Sequence, residues 1–246
     1  MNIVSFSGGK DSTAMVHKLR EDGVDFQAFW YMTPWEFPEM EKHVHQVEKN
    51  LSIKVHRIYQ RRDWTEDLLP RWKWPAVGRE WCTAEKRNAC NKYIRQFENP
   101  VEYIGFSADE IPRSKRDGMV RGKKWPVRFP LIEKWITEKD ALKYCYSLGY
   151  DWDGLYNWMP SKRISCFCCP KQGRKDIKAI RTNRPELWGK ILEMDKTIEN
   201  NGGYIGYKTA CDLEREFAEE DKQEAKQGVL IYGNRECLGA VKKERK

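Results

Sequence analysis

The chain opens with Asn2-Ile3-Val4-Ser5-Phe6, which reads as a short buried strand, and passes directly into Ser7-Gly8-Gly9-Lys10-Asp11-Ser12. From Asp11 to Glu21 the pattern is helical, with Ala14, Met15, Val16 and Leu19 on one apolar face and Gly23 as the stop. Strand, glycine turn and helix in that order dictate the chemistry of the junction. Glycines let the backbone turn tightly and come close to a ligand. Successive N–H groups form a nest, and the following helix adds its positive end. The hydroxyls of Ser7, Ser12 and Thr13 can donate further hydrogen bonds, Lys10 adds a charge, and Asp11 is placed to hold Mg²⁺ or to brace the loop. The turn therefore reads as a cradle for a pyrophosphate. It is neither the Walker spacing Gly-x-x-x-x-Gly-Lys-Ser/Thr nor the Gly-x-Gly-x-x-Gly fingerprint.

The alternation continues. Phe26 to Met32 reads as a second strand, Glu39 to Asn50 as a helix, and Ile53 to Tyr59 as a third strand. After an irregular Trp-, Arg- and Pro-rich excursion at Arg61–Trp81, with a short helix at Thr65–Leu69, a helix spans Thr83–Phe97 and a strand Val101–Phe106. Thr137–Leu148 is a helix opening on Thr-x-x-Asp, a capping signal. This pattern predicts an α/β fold: a parallel twisted sheet with helices on both faces, followed by a helical C-terminal part. The expected division is a nucleotide-binding domain over residues 1–150 and a Cys-containing helical part over 151–246 packed on it, with helices at Lys175–Arg181 and Glu186–Asn200 and a charged one from about Asp212.

Ligands of such sheets sit at the C-terminal ends of the strands. Asp109, Glu110 and Arg113 follow the Val101–Phe106 strand and so are candidate ligand contacts, against the plainer reading of a capped, solvated turn. The net charge of +8 favours polyanionic partners. The 11 Trp residues admit two readings. Beside Arg and Lys, as in Arg71-Trp72-Lys73-Trp74, they can stack on bases, or they can pack the core. No stretch of about eighteen apolar residues exists, so no membrane span is expected. The N-terminus lacks a basic region ahead of an apolar one, and the protein is expected to be cytoplasmic.

Cysteines in a cytoplasmic chain point to metal or redox chemistry more than to disulfides. Cys166-Phe167-Cys168-Cys169-Pro170 places three thiols within four residues, a spacing that suits a soft metal or an iron–sulfur cluster. Cys82 starts a helix, where a thiolate is stabilised. Zinc and free reduced thiols are the other readings. Cys90 and Cys145 fall on helices and read as core. The four histidines have no ligand spacing, and His43 and His45 read as surface residues.

The hexapeptide resembles the Ser-Gly-Gly-x-Asp-Ser loop of the N-type ATP pyrophosphatases, and among these the PAPS reductase-like branch with the adenine nucleotide alpha-hydrolase-like fold. Further segments are similar in the same order. Thr33-Pro34-Trp35-Glu36-Phe37-Pro38-Glu39 resembles Asp-Thr-Gly-x-x-Phe-Pro-Glu, with Met32 in place of the Asp and Pro34 in place of the Gly. Trp81-Cys82-Thr83 with Lys86, Gly105 to Glu110 with Arg113, Phe129-Pro130-Leu131-Ile132, and Cys166-x-x-Cys169-Pro170 complete the series. The resemblance implies ATP and Mg²⁺, with Asp11, Lys10 and Ser12 as catalytic residues. The implied nucleotide contacts are Ser5, Ser7, Gly8, Gly9, Lys10, Asp11, Ser12, Thr33, Asp109, Glu110 and Arg113. It also brings Cys82 near the Cys-x-x-Cys pair, implying Cys82, Cys166 and Cys169 as ligands of a 4Fe–4S cluster. The fourth ligand is Cys168 or the distant Cys211, or the cluster has an open iron. The function implied is adenylylation and sulfur transfer to nucleic acid, DNA phosphorothioation or tRNA thiolation, with a sulfur donor such as a cysteine desulfurase. A homo-oligomer is compatible with this. The alternatives are a PAPS/APS reductase and a non-catalytic nucleotide- or nucleic-acid-binding module. Glu236-Cys237 is similar to the reductases' C-terminal Glu-Cys, but the following residues differ and the match reads as coincidence.

Overall fold

The computed structural model describes residues 1–115, 123–164, 166–199 and 202–240, with side chains as far as residue 226. Cys237 thus lies outside the described side chains, as does Val229–Tyr232, which the sequence marks as an apolar patch in the charged C-terminal helix. The expected alternation is present. β1 (Asn2–Ser5), α1 (Lys10–Glu21), β2 (Gln27–Met32), α2 (Glu39–Leu51) and β3 (Val55–Tyr59) form the first half. A π-helical turn at Trp64–Leu68 and the short α3 (Leu69–Trp72) fill the excursion, before α4 (Trp81–Ile94) and β4 (Val101–Ile104). The short α5 (Ile111–Ser114), β5 (Val127–Arg128), the short α6 (Pro130–Glu133) and α7 (Glu138–Ser147) follow. The C-terminal part comprises α8 (Leu155–Trp158), α9 (Arg174–Asn183), α10 (Pro185–Lys196) and α11 (Ala210–Ala240). Thr137 and Asp140 make the reciprocal capping box at the start of α7.

The sheet is fully parallel in the order β3-β2-β1-β4-β5. Side chains alternate across it. Val4, Phe6, Ala28 and Trp30 join a large core shared with α1 and α2. Ile3 and Phe29, one residue out of step, join Ile94 of α4 and Trp125 in a smaller core on the other face. Helices on both faces follow from that alternation. The larger core also takes in Trp152, Ile177, Ile191 and Phe217, so one apolar interior joins the sheet to the C-terminal helices. No described helix is long and apolar enough to cross a membrane.

Burial decides between the two readings of the tryptophans and corrects the one for His43. Trp64 and Trp74 of the basic excursion are buried, and with Trp35 and Trp81 they form an edge-on aromatic cluster with ring centroids 5.2–6.1 Å apart. Trp72 alone of that stretch is well exposed. Edge-to-face packing suits the ring quadrupoles and retains the full apolar area, which outweighs exposure for bases. His43 is buried rather than on the surface; its Nε2 lies 2.9 Å from Thr13 Oγ1 and its ring stacks on Trp152 at 4.3 Å. Burial, with His17 nearby, pushes its pKa down to about 3, so it is neutral.

The sheet order places a switch point beside β1, because successive connections run to β2 on one side and to β4 on the other. Gly105, just beyond β4, closes that crevice. A Cβ there would stand 3.0 Å from the backbone N and Cα of Ser12. Gly105→Ala should therefore destabilise the protein by about 1–3 kcal/mol through overpacking against backbone that cannot retreat, measurable as a lower urea midpoint at an unchanged slope.

Candidate active site

The crevice is bounded by the loop after β1 and the loop after β4. Gly8 takes the left-handed conformation, φ +76°, which turns the chain out of β1. Gly9 is extended and caps α1 without a side-chain hydrogen bond. Ser12 braces the turn: its Oγ donates to Gly9 O at 3.0 Å and accepts from Ser7 N at 3.2 Å and from Ser7 Oγ at 3.1 Å. Its one donor and both acceptor sites are thereby used.

Two aromatic residues from the C-terminal part hold the loop from beneath. Trp152 Nε1 donates to Gly8 O at 2.8 Å, and the backbone N–H of Lys10 donates to Tyr156 Oη at 2.8 Å. Cys145, read as core, is buried and its thiol donates to Lys10 O at 3.3 Å. Sequence reasoning missed Trp152 and Tyr156. Their 144- and 146-residue separation from the loop leaves no local pattern to read.

The charges form a chain. The Lys10 ammonium is buried, 2.8 Å from Asp11 Oδ2 and 3.1 Å from Glu138 Oε2. Glu138 in turn meets Arg163 at 2.8 Å. Burial opposes ionisation of Glu138, yet Arg163 and Lys10 hold its carboxyl below the ordinary value. For Asp11 the balance is reversed. Burial raises its pKa, Lys10 counteracts, and Glu138 and Glu110 add to the rise. Its Oδ1 is buried and accepts no hydrogen bond, as is true of Ser107 Oγ on the opposite loop. A Mg²⁺ ion needs only one or two carboxylates when phosphates complete its shell, so an unpartnered carboxylate oxygen beside a phosphate cradle fits the cation and the nucleotide together.

Asp109 reaches the loop indirectly, through Glu138. Asp109 Oδ2 accepts from the backbone N of Glu138 at 2.7 Å, fixing the start of α7 and with it the partner of Lys10. Glu110 pairs with Arg113 at 2.6 Å, and the Arg113 guanidinium lies over Phe106 at 4.5 Å. The hydroxyl of Ser5 points to the other face of the sheet and donates to Glu102 Oε1 at 2.8 Å. Thr33 is buried beside the thiols instead of the phosphate loop: its Oγ1 donates to Glu36 Oε1 at 3.0 Å and lies 3.3 Å from Cys166 Sγ.

Cys82, Cys166, Cys168 and Cys169 lie near enough to influence one another's ionisation. They do not converge as a metal site: among the described residues no group of three or more His, Cys, Asp or Glu is arranged to hold a metal ion. Cys168 is enclosed in the core, and burial pushes its thiol well up. Burial also pushes the Cys82 thiol up despite its place at the start of α4, overriding the expected helix-end effect. As arranged, these thiols are not preformed for a cluster or zinc.

The family model described as phosphoadenosine phosphosulfate reductase domain matches residues 1–172. Uncharacterized protein MJ0066 of Methanocaldococcus jannaschii is 28% identical over 206 residues, covering 76% of this chain and 40% of that protein. Uncharacterized protein MJ0973 of the same organism is 21% identical over 202 residues, covering 78% and 47%. The chain thus spans less than half the length of these curated relatives. Among solved structures, the U34-tRNA thiolase NcsA from Methanococcus maripaludis with its 4Fe–4S cluster is similar at TM-score 0.46 and 14% identity, over 81% of this chain and 72% of that one.

Two outcomes follow from the geometry. Tyr156→Phe leaves the buried Lys10 N–H without an acceptor, and should cost about 1–3 kcal/mol in urea unfolding. Asp11 is the second case. Its folded pKa lies above the ordinary 3.8, so the unfolded chain releases the proton first and stability falls as pH rises from 3.8 through the folded value. Asp11→Asn, with Lys10 still held by Glu138, should melt higher than the parent at neutral pH, the difference closing below pH 3.8.

Proposed function

The chain belongs to the phosphoadenosine phosphosulfate reductase domain family, and from that premise we propose that it is an ATP pyrophosphatase that activates an oxygen for sulfur transfer to nucleic acid, as in DNA phosphorothioation or tRNA thiolation. The observation that carries this reading is the buried, unpartnered Asp11 oxygen at the start of α1, on a glycine turn at the switch point of a parallel sheet. An acceptor oxygen attacks the α-phosphorus of ATP, pyrophosphate leaves, and a sulfur nucleophile then displaces AMP together with that oxygen.

In this scheme the glycine turn and the first N–H groups of α1 receive the departing phosphates. Asp11 would hold Mg²⁺, which would supply charge neutralisation on the leaving group when bound. Lys10 and Glu138 keep the carboxylate in position. Ser7 is exposed on the solvent side of the loop, its hydroxyl donating to Ser12 Oγ. The half-buried thiols of Cys82, Cys166 and Cys169 are the candidate sulfur-handling groups, and a cysteine desulfurase is the kind of donor that would load them. The +8 charge supports a polyanionic acceptor.

The family description favours one competing reading, reduction of a sulfonucleotide. The two separate in one experiment. The protein is incubated with ATP, Mg²⁺ and an oligonucleotide acceptor, and in parallel with PAPS and reduced thioredoxin. Pyrophosphate release is expected in the first and no sulfite in the second. Asp11→Ala should lower pyrophosphate release by about 100-fold or more while its circular dichroism matches the parent. Unchanged turnover in that variant, or sulfite production by the parent, would overturn the reading.

A further inference from the structure

On the face of the sheet opposite α1, the edge strand β3 and the helix α4 border an open groove of about 320 Å³. Its lining includes His56, Tyr59, Arg61, Lys92, Tyr93 and Gln96. We infer that this groove receives a single-stranded segment of nucleic acid, its bases on the aromatic rings and its phosphates on Arg61 and Lys92. The inference rests on the nucleic-acid acceptor proposed above and names the surface that holds it.

The lining has the composition such a ligand needs. Among the described residues, no carboxylate lines the groove. Arg61 and Lys92 are exposed, and neither is ion-paired with a described residue. Arg57, also in the lining, is committed to Glu48. The unpaired cations carry net positive charge into a concave surface, where a polyphosphate gains the most. The aromatic part is rigid. His56 stacks on Tyr93 with ring centroids 4.7 Å apart and 15° between planes, and Tyr93 is itself wedged against Phe29 at 5.0 Å and Phe97 at 5.2 Å. A fixed, solvent-reaching ring stack is a platform for a base, and such stacking tolerates any base. Tyr59, 61% exposed, ends β3. Because every strand is parallel, that end is also the phosphate-loop end of the sheet, so a strand lying in the groove leads toward the crevice.

Arg61, Lys92, His56 and Tyr59 are exposed, so their substitution leaves the core untouched. The test is fluorescence anisotropy of the full chain, without ATP, on labelled single-stranded RNA and DNA of about 12 nucleotides. At least one of the two should bind. Arg61→Ala/Lys92→Ala should weaken binding about tenfold or more and flatten the plot of log affinity against log salt by about 1.4, the contribution of two phosphate contacts on a single strand. His56→Ala and Tyr59→Ala should each cost about fivefold or more. Lys143→Ala, on α7 away from the groove, should bind as the parent does. Binding of neither strand by the parent, equal binding by the double variant, or an equal loss in Lys143→Ala would each overturn the assignment. The readout uses no ATP and no turnover. A parent that binds through the groove but releases no pyrophosphate would sink the proposed activity alone; one that releases pyrophosphate while the double variant binds normally would sink the groove alone.

Discussion

A buried ammonium group is tolerable only when it is neutralised by neighbours, and much of this molecule is arranged around one. Lys10, the fourth residue of the phosphate loop, is enclosed, and its charge is met by Asp11 and Glu138. Leaving such a charge with no partner at all typically costs about 3–5 kcal/mol. Glu138 must therefore stay where it is, and three devices keep it there: the capping box of α7, the hydrogen bond from its backbone to Asp109, and the ion pair with Arg163. The loop after β4 and the segment beyond Met159 are thereby tied to the loop after β1. One residue's charge explains why parts of the chain far apart in sequence share a single site.

The same loop is held from its apolar side by groups that contribute no charge. Trp152 and Tyr156 pin the peptide groups of Gly8 and Lys10, and neutral His43 supports Trp152 by stacking and Thr13 by a hydrogen bond. A phosphate cradle made of backbone N–H groups has no side chains of its own to fix their direction. Preorganisation has to come from outside it, and here it comes from the C-terminal part. The strain on Asp11, whose carboxylate is buried without a full set of partners, is then a local cost carried by a well-braced surrounding.

The thiols show the limit of spacing as a guide. Three cysteines within four residues suggest a common ligand, but chain direction sends Cys168 into the core while Cys166 turns toward Thr33 and Glu36. The tryptophans show a similar limit. An Arg- and Trp-rich stretch is consistent with a nucleic-acid surface by composition, yet Trp64 and Trp74 fill the interior. The groove with the chemistry of a base-and-phosphate site lies along β3 and α4, built mainly from His, Tyr and single cations that no motif groups together.

What the sequence determined by itself is whatever is carried by short-range pattern. The strand–turn–helix start, the later strand–helix alternation and the Thr137–Asp140 cap were legible because their periodicities and hydrogen bonds span a few residues. The two-residue β5 was not, since so short a strand has no alternation to detect. The phosphate loop could be recognised as a loop, but which of its atoms are free could not. That Lys10 faces inward, that Asp109 acts through Glu138 and that Ser5 serves the opposite face depend on contacts between residues up to 128 positions apart. Only the folded sheet, by placing β1 next to β4 and α7 against α1, decides which partners each charge and each hydroxyl meets, and hence what remains available for a ligand.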